Sequence, residues 1–488
     1  MRGVTATAQG PDSDILSKLS GMRALSRDAA MNSPLAISIY RRHRMETVGP
    51  GLTVQARVKA AQVGRAANDP AVAAWEEAAE ALFDLWGATP FCDFKRRLNW
   101  AEMQGVVFST MLLSGDCFFM MPWREAPCDF PFRSTVHLVD ADLVRDPVDV
   151  GDRDIAGGVE CDASGAVVAY HVWNTYPDEN PLLANKTAKC TRVPVYDAEG
   201  RQQIWHVFDT ERLDQRRGVP LLAPVADALK QLTRLADAEL MNALVSAFFT
   251  VFVRDNSALQ ATLESGVPPS MQVDADKDDP DDLGSLEMGY GNVHYLGDRD
   301  IEIADPRKTD ADFAGFWNLL ASTVCGAGSM PVEKANMKYT TSYTAARAAA
   351  NDVWKATVGY RRLLERRFFS VVYGEVLREA MLRSMLPING AFDSWQAFAA
   401  WSNCVWIGMG QGHLDPLKEA KASRVNINTF LSTYEEEYMR TTGGRWEAAM
   451  QQRKNENELI KSQGLNEELV KDQNVFETDE EQEEGRDT

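Results

Sequence analysis

Apolar residues recur at helical spacing along much of the chain, and the clearest such stretch runs from Asp310 to Met385. Phe313, Phe316, Trp317 and Leu320 fall on one helical face. The pattern breaks over Cys325–Pro331, where glycines and a proline cannot sit quietly inside a helix. A polar run, Val332 to Tyr339, follows and carries Lys334 and Lys338. A second long helix is predicted to start near Thr340–Ser342, whose hydroxyls suit an N-cap. It continues through Trp354, Val358, Leu364, Phe368, Val372 and Val376. Its first turns are small (Ala345, Ala348, Ala349), which allows close packing or passage beside something bulky. Pattern alone describes a helical hairpin joined by an ordinary loop.

Upstream, residues 1–20 carry little apolar content and read as disordered. Helices are predicted from Pro34 to Arg44, around Ala71–Trp86, and over Phe91–Leu113. The basic cluster Arg41–Arg44 reads as a solvated helix end favoured by the macrodipole. Residues 115–208 change to strand text. Gly115–Met121 and Val136–Val139 are predicted strands, and Val159–Cys161 and Val167–Trp173 flank a turn at Asp162–Gly165. Val193–Tyr196 and Ile204–Phe208 are predicted to pair across Asp197–Gly200. A long helix follows from Pro220 to about Ala247, with Val225, Leu229, Leu232, Leu235, Leu240 and Leu244 on its apolar face. Phe248–Val253 reads as a strand, and 254–304 as a small irregular acidic module. Aromatic-rich text at Trp395–Trp406 precedes a helix opened by Asp415 and Pro416, with helical text to about Gln452 and a break at Gly443 and Gly444.

Composition narrows the function. A length of 488 residues suggests roughly three domains. No apolar run reaches about 18 residues, so no membrane partner is expected, and the N-terminus lacks the apolar core of a secretory signal. Seven scattered cysteines without a C-x-x-C pair fit a reducing compartment and argue against zinc or a disulfide framework. The net charge of −20 is wrong for a conventional nucleic-acid binder. Acid concentrates at Glu477–Glu484 and at Asp274–Asp282. The second run has carboxylates at the first, third and fifth EF-hand positions, but Asp279 stands where glycine belongs and Ser285 where glutamate belongs. No phosphate loop, zinc-protease motif or nucleophile elbow is present, so no catalytic residue, metal or cofactor is expected.

Several stretches, in order, resemble the portal proteins of tailed phages, in their lambda-type branch. They are Arg27 and Asp28 with Asn32–Pro34; Val48 and Gly49; Gly115 and Asp116; Asp140–Asp142 with Pro147; and Gly157–Glu160 with Gly165 and Ala169–His171. His206–Phe208, Arg212 and Gln215–Pro220, with Ala238–Leu240 after them, match most strongly, and Tyr343–Arg347, Trp406–Gly408 and Asp415–Ala420 complete the series. The match spans about Leu25–Arg453, and Gly326–Met330 departs from the usual wording before the proline.

The resemblance implies an α+β, mainly helical portal fold with an antiparallel β-rich wing and a small α/β clip. Its expected divisions begin with a disordered arm at 1–24, a wing at 25–218, and a stem helix at 219–253. A clip at 254–304, a second stem helix at 305–325 and a tunnel loop at 326–342 follow. A long helix and connection at 343–413, crown helices at 414–453 and an acidic disordered tail at 454–488 complete the chain. It implies a ring, dodecameric in the family, at one capsid vertex of a virion assembled in the bacterial cytoplasm. Its expected partners are major capsid and scaffold proteins, terminase, head–tail connector proteins, and duplex DNA passing without sequence specificity. Lys334, Asn336, Lys338 and Tyr339 are the expected DNA-facing residues of the tunnel loop, and Asp278, Asp279, Asp281 and Asp282 the docking residues of the clip. A head–tail adaptor ring is the alternative; such chains are usually much shorter.

Overall fold

The structure is a computed structural model, and it describes residues 9–66, 69–151, 153–177, 188–247, 251–254, 300–303, 313–339, 342–411 and 416–462. The chain divides into two compact units, one formed by residues up to Pro224 and from Gly328 onward, the other by Val225–Ala327.

In the first unit the chain opens with α1 (Pro11–Asn32) and α2 (Pro34–Thr47), separated at Ser33, whose hydroxyl accepts from the Ala36 amide as an N-cap. The disordered arm expected over 1–24 is therefore corrected from residue 11 onward. Periodicity misses α1 because its buried positions include Arg23 and Ser26 beside Leu19, so its inward face is not apolar. Strand β1 (Thr53–Ala56) leads to α3 (Pro70–Ala88) and α4 (Trp100–Ser114), the latter started by a reciprocal Asn99–Glu102 capping box. The helix expected over 91–113 thus begins only at Trp100.

Two antiparallel sheets follow. One has the order β3 (His137–Val139), β2 (Asp116–Met120), β8 (Ile204–Phe208). The other runs β4 (Asp154–Ala156), β5 (Val159–Cys161), β6 (Val167–Trp173), β7 (Cys190–Pro194). Phe118, Val139, Val144, Val159, Tyr170 and Ile204 share one buried cluster across them. The β5–β6 hairpin forms as expected, with Gly165 at φ 85° and Asp162 Oδ1 accepting from the Ser164 and Ala166 amides. The pairing expected between 193–196 and 204–208 is corrected: β7 pairs with β6 and β8 with β2. Only the Tyr196–Gln202 bridge and the turn between them survive, because each strand's backbone hydrogen bonds are taken up by a different sheet.

The second unit holds α5 (Ala226–Ala247), the antiparallel pair β9 (Val251–Arg254) and β10 (Asp300–Ile303), and α6 (Phe313–Ala327), which packs on α5. Leu229 and Leu232 are buried while Leu240 is 61% exposed, so the apolar stripe of α5 outruns its cover. The acidic run with Asp278, Asp279, Asp281 and Asp282 lies outside the described residues.

The first unit resumes with α7 (Val332–Asn336), α8 (Tyr343–Leu364), a π-turn at Glu365–Phe369 and α9 (Ser370–Leu382). Ser342 caps α8 through the Ala345 amide, as its hydroxyl suggested. The π-turn adds a residue to the helical circuit and lets the consecutive Phe368 and Phe369 both reach zero exposure. They join Phe83, Trp100 and Trp406 in an aromatic core with ring centroids 5–6 Å apart. Helix α10 (Trp395–Trp401) leads to β11 (Cys404–Ile407), which pairs with β1 over a sequence separation of some 350 residues. Helices α11 (Pro416–Asn428), α12 (Tyr434–Thr442) and α13 (Trp446–Ser462) close the described chain. The expected tail boundary at 454 is corrected, since α13 is helical to Ser462.

Candidate functional site

The break after α6 becomes a structured hinge. Gly326 stays inside α6, so the break expected from 326 begins two residues later, at Gly328. Residues 332–336 then form one short helical stretch, α7, after Pro331, and Met337 ends it in the left-handed region at φ 53°. Helix α2 holds the base. His43 Nε2 donates to the Gly328 carbonyl at 2.6 Å, the Ser38 hydroxyl donates to the Ala335 carbonyl, and Lys334 Nζ lies 2.8 Å from Glu46 Oε1. Burial pushes the His43 imidazole below its ordinary pKa, so it acts as a neutral donor with its ring edge on Tyr360, 5.7 Å away. Arg361, on α8, donates to the carbonyls of Thr47 and Glu46 at the end of α2.

This base separates the four residues expected to face DNA. Lys334 points back to Glu46 and is mostly covered, at 21% side-chain exposure. Asn336, Lys338 and Tyr339 form an exposed tip with Met337, and Tyr339 is 65% exposed. Spacing alone treated the two lysines as equivalent; the partner on α2 distinguishes them.

A second constellation went unread in the sequence. The Asp116 carboxylate on β2 is fully buried and accepts five hydrogen bonds. Oδ1 takes Arg23 of α1 at 2.7 Å and Arg217 at 3.1 Å; Oδ2 takes Arg217 Nε at 2.6 Å, the Gly218 amide at 3.1 Å and His206 Nε2 at 3.2 Å. Arg217 also donates to the carbonyls of Ala141, Val144 and Gly157, and Arg23 to that of Ser114. Burial alone would raise the Asp116 pKa, but Arg217 and Arg23 outweigh it and hold the carboxyl far below its usual range. Burial pushes His206 down to about 4, so it is neutral at physiological pH, stacked on Phe118 at 4.0 Å. Gly115 and Gly218 touch backbone to backbone: a Cβ on Gly218 would stand 2.0 Å from the Gly115 carbonyl oxygen.

Several stretches that carry the resemblance meet here. Gly115 and Asp116, Asp142, Gly157, His206 and the 215–218 segment surround one charge, and Arg27 reaches Asp142 beside it. They act as a clasp that ties α1, both sheets and the segment before α5 into one body.

The described arrangement nearest to a nucleophilic triad is Cys190, His171 and Glu160. His171 Nδ1 lies 3.9 Å from the sulfur and Nε2 lies 2.9 Å from the carboxylate. Burial raises the Cys190 thiol pKa, away from the thiolate that reaction needs, and Arg192 holds Glu160 bidentately at 2.9 Å. This is a sheet-bracing network. Among the described residues no group of three acidic, histidine or cysteine side chains could hold a metal ion, and no helix is long and apolar enough to cross a membrane.

A helix-rich chain with small antiparallel sheets is the arrangement that the portal resemblance led us to expect. A family model described as phage portal protein, lambda family, matches residues 1–361. The chain belongs to that family, and is a phage portal protein of the lambda type. Portal protein B of Escherichia phage lambda is 25% identical over 461 residues, covering 90% of this chain and 83% of that protein. The portal protein of Escherichia phage N15 is 24% identical over 462 residues, covering 90% and 84%. Among solved structures, a chain from the neck of an empty gene transfer agent particle is 14% identical with a TM-score of 0.45, covering 86% of this chain and 92% of that one.

Proposed function

We propose that copies of this chain close into a ring, dodecameric as the family resemblance implies, at one vertex of a phage-type capsid. The ring is the channel through which duplex DNA enters during packaging and leaves during ejection. Residues 25–218 form its wing, 219–253 and 305–325 its stem, 254–304 its clip, and 414–453 the body of its crown. The clip docks terminase during packaging and head–tail connector proteins afterwards, and the wing meets capsid and scaffold proteins. Assembly takes place in the host cytoplasm, and the chain has no catalytic role.

The observation that carries the channel reading is the hinge: an exposed tip, Asn336 to Tyr339, on a base that three α2 contacts fix in place. Lys338, flanked by Asn336 and Tyr339, touches passing phosphates, while Lys334 braces the tip through Glu46. Duplex DNA carries one charge per about 1.7 Å, so a strongly basic wall would grip it. A chain with a net charge of −20 instead lets the duplex slide. The acidic clip residues Asp278, Asp279, Asp281 and Asp282 suit a basic patch on the docking partner.

The test is a Lys338→Glu ring whose subunit number by native mass matches wild type. Reduced DNA packaging and retention is the expected result; packaging and retention equal to wild type would remove the tip from the channel.

A further inference from the structure

Helices α11, α12 and α13 lack a core of their own. Of residues 417–462 only Glu437 is buried, and no apolar side chain is. Two of the three helices have 13 and 9 residues, near or below the roughly 12–15 at which a lone helix becomes even marginal in water. Their ties to the rest of the first unit are polar, through Arg445 to Glu80 and through Arg57 to Glu435 and Glu447.

The module nonetheless contains a shaped recess. A cavity of about 470 Å³ opens between α11 and α12, with Ile427, Tyr434, Tyr438 and Trp446 in its wall. Trp446 stacks on Tyr434 at 5.5 Å and meets Tyr438 edge-on at 5.9 Å. Glu437 fixes the spacing of the two helices by accepting from Ser423 at 2.7 Å, Asn426 at 3.2 Å and Arg440.

The matching shape is on the same chain. Phe430 is 94% exposed and Leu431 79% exposed, both on the turn between α11 and α12. That turn is a Schellman cap: the Phe430 amide donates to the Ile427 carbonyl and the Leu431 amide to that of Asn426. The residue at its left-handed position, φ 56°, is Phe430, where glycine is the unstrained choice. A bulky aromatic thus occupies a strained backbone position and stands almost fully exposed among the described residues.

We propose that Phe430 and Leu431 of one copy insert into the recess between α11 and α12 of the next copy, completing the crown's missing core. This rests on the ring reading above. A cavity of about 150 Å³ already accommodates benzene, so this recess has room for a phenyl ring and a neighbouring leucine. Knob and hole are separate surfaces of one chain, so the knob of each copy can enter the hole of the next around a ring, as a head-to-tail contact does when its rotation closes. In a closed ring every recess is filled and every knob buried, which a foreign partner would not achieve.

The test places a benzophenone side chain at position 430 and assembles rings from a mixture of ¹⁴N and ¹⁵N chains, after native mass shows that wild type forms rings. Crosslinks between differently labelled chains, ending on α11, α12 or Trp446, are expected. Crosslinks within one chain, to another part of the neighbour, to another protein, or none at all, overturn the proposal while leaving the ring intact. Absence of wild-type rings overturns both. Phe430→Gly separates docking from folding: it relieves the backbone strain, so monomer stability holds or rises, while subunit affinity falls about tenfold or more. Unchanged ring affinity in that variant also overturns it.

Discussion

Asp116 is the residue on which the first unit turns. A carboxylate at zero exposure survives only if its charge and its lone pairs are met, and two arginines, a histidine and a backbone amide meet them. The neutral His206 in this set gives stability a pH dependence with a definite sign. Its pKa is about 4 in the fold and about 6.5 in an unfolded chain, so between those values the unfolded state binds more protons. The contribution is complete above about pH 6.5 and is lost as pH falls toward 4. Wild type should therefore lose about 2 kcal/mol more than His206→Gln between pH 7 and pH 5, read by urea unfolding. Equal losses in the two would show that His206 is not buried neutral. At this scale the chain's text carried the right words without the grammar. Gly115, Asp116, His206 and Arg217 were each visible as matching residues, but nothing in their spacing said that about 100 residues of chain would loop back to one carboxylate.

The elements read unevenly, and the failures have causes. Helices with an apolar face, such as α3 and α8, were legible because their periodicity is what burial requires. Helix α1 was not, because charge rather than hydrocarbon anchors it: Arg23 enters the Asp116 site, and Arg27 pairs with Asp140 and Asp142. Deleting residues 1–24 should therefore destabilise the first unit, on the order of 3–5 kcal/mol for the lost buried partner. Urea unfolding of the truncated chain checks this, and an unshifted midpoint would restore the reading of a loose arm. Strands β1 and β11 are four residues each, too short for an alternating pattern, and their partnership spans most of the sequence. Strand β8 was placed correctly but given the wrong neighbour, since proximity in sequence favours the hairpin and only packing decides between two sheets.

At the scale of the whole molecule, charge dominates. A net charge of −20 keeps copies apart in solution and must be screened or locally paired for them to assemble. Raising salt from about 0.05 M to about 0.3 M should increase the yield of rings, as the Debye length falls. Mass photometry reads this, and a falling yield would mean that ion pairs rather than apolar contacts hold the interface. The sequence by itself determined the chain's family, its acidity, most of its helices and the position of the hinge, because those depend on composition, local periodicity and residues in order along the chain. Only the tertiary structure decided that Lys334 is spent on Glu46 while Lys338 stays exposed, that the matching residues converge on Asp116, and that the last three helices end without a core. Each of those depends on which distant groups meet in space, and a carboxylate, a lysine or a phenylalanine has the same local signature whether it finds a partner or not.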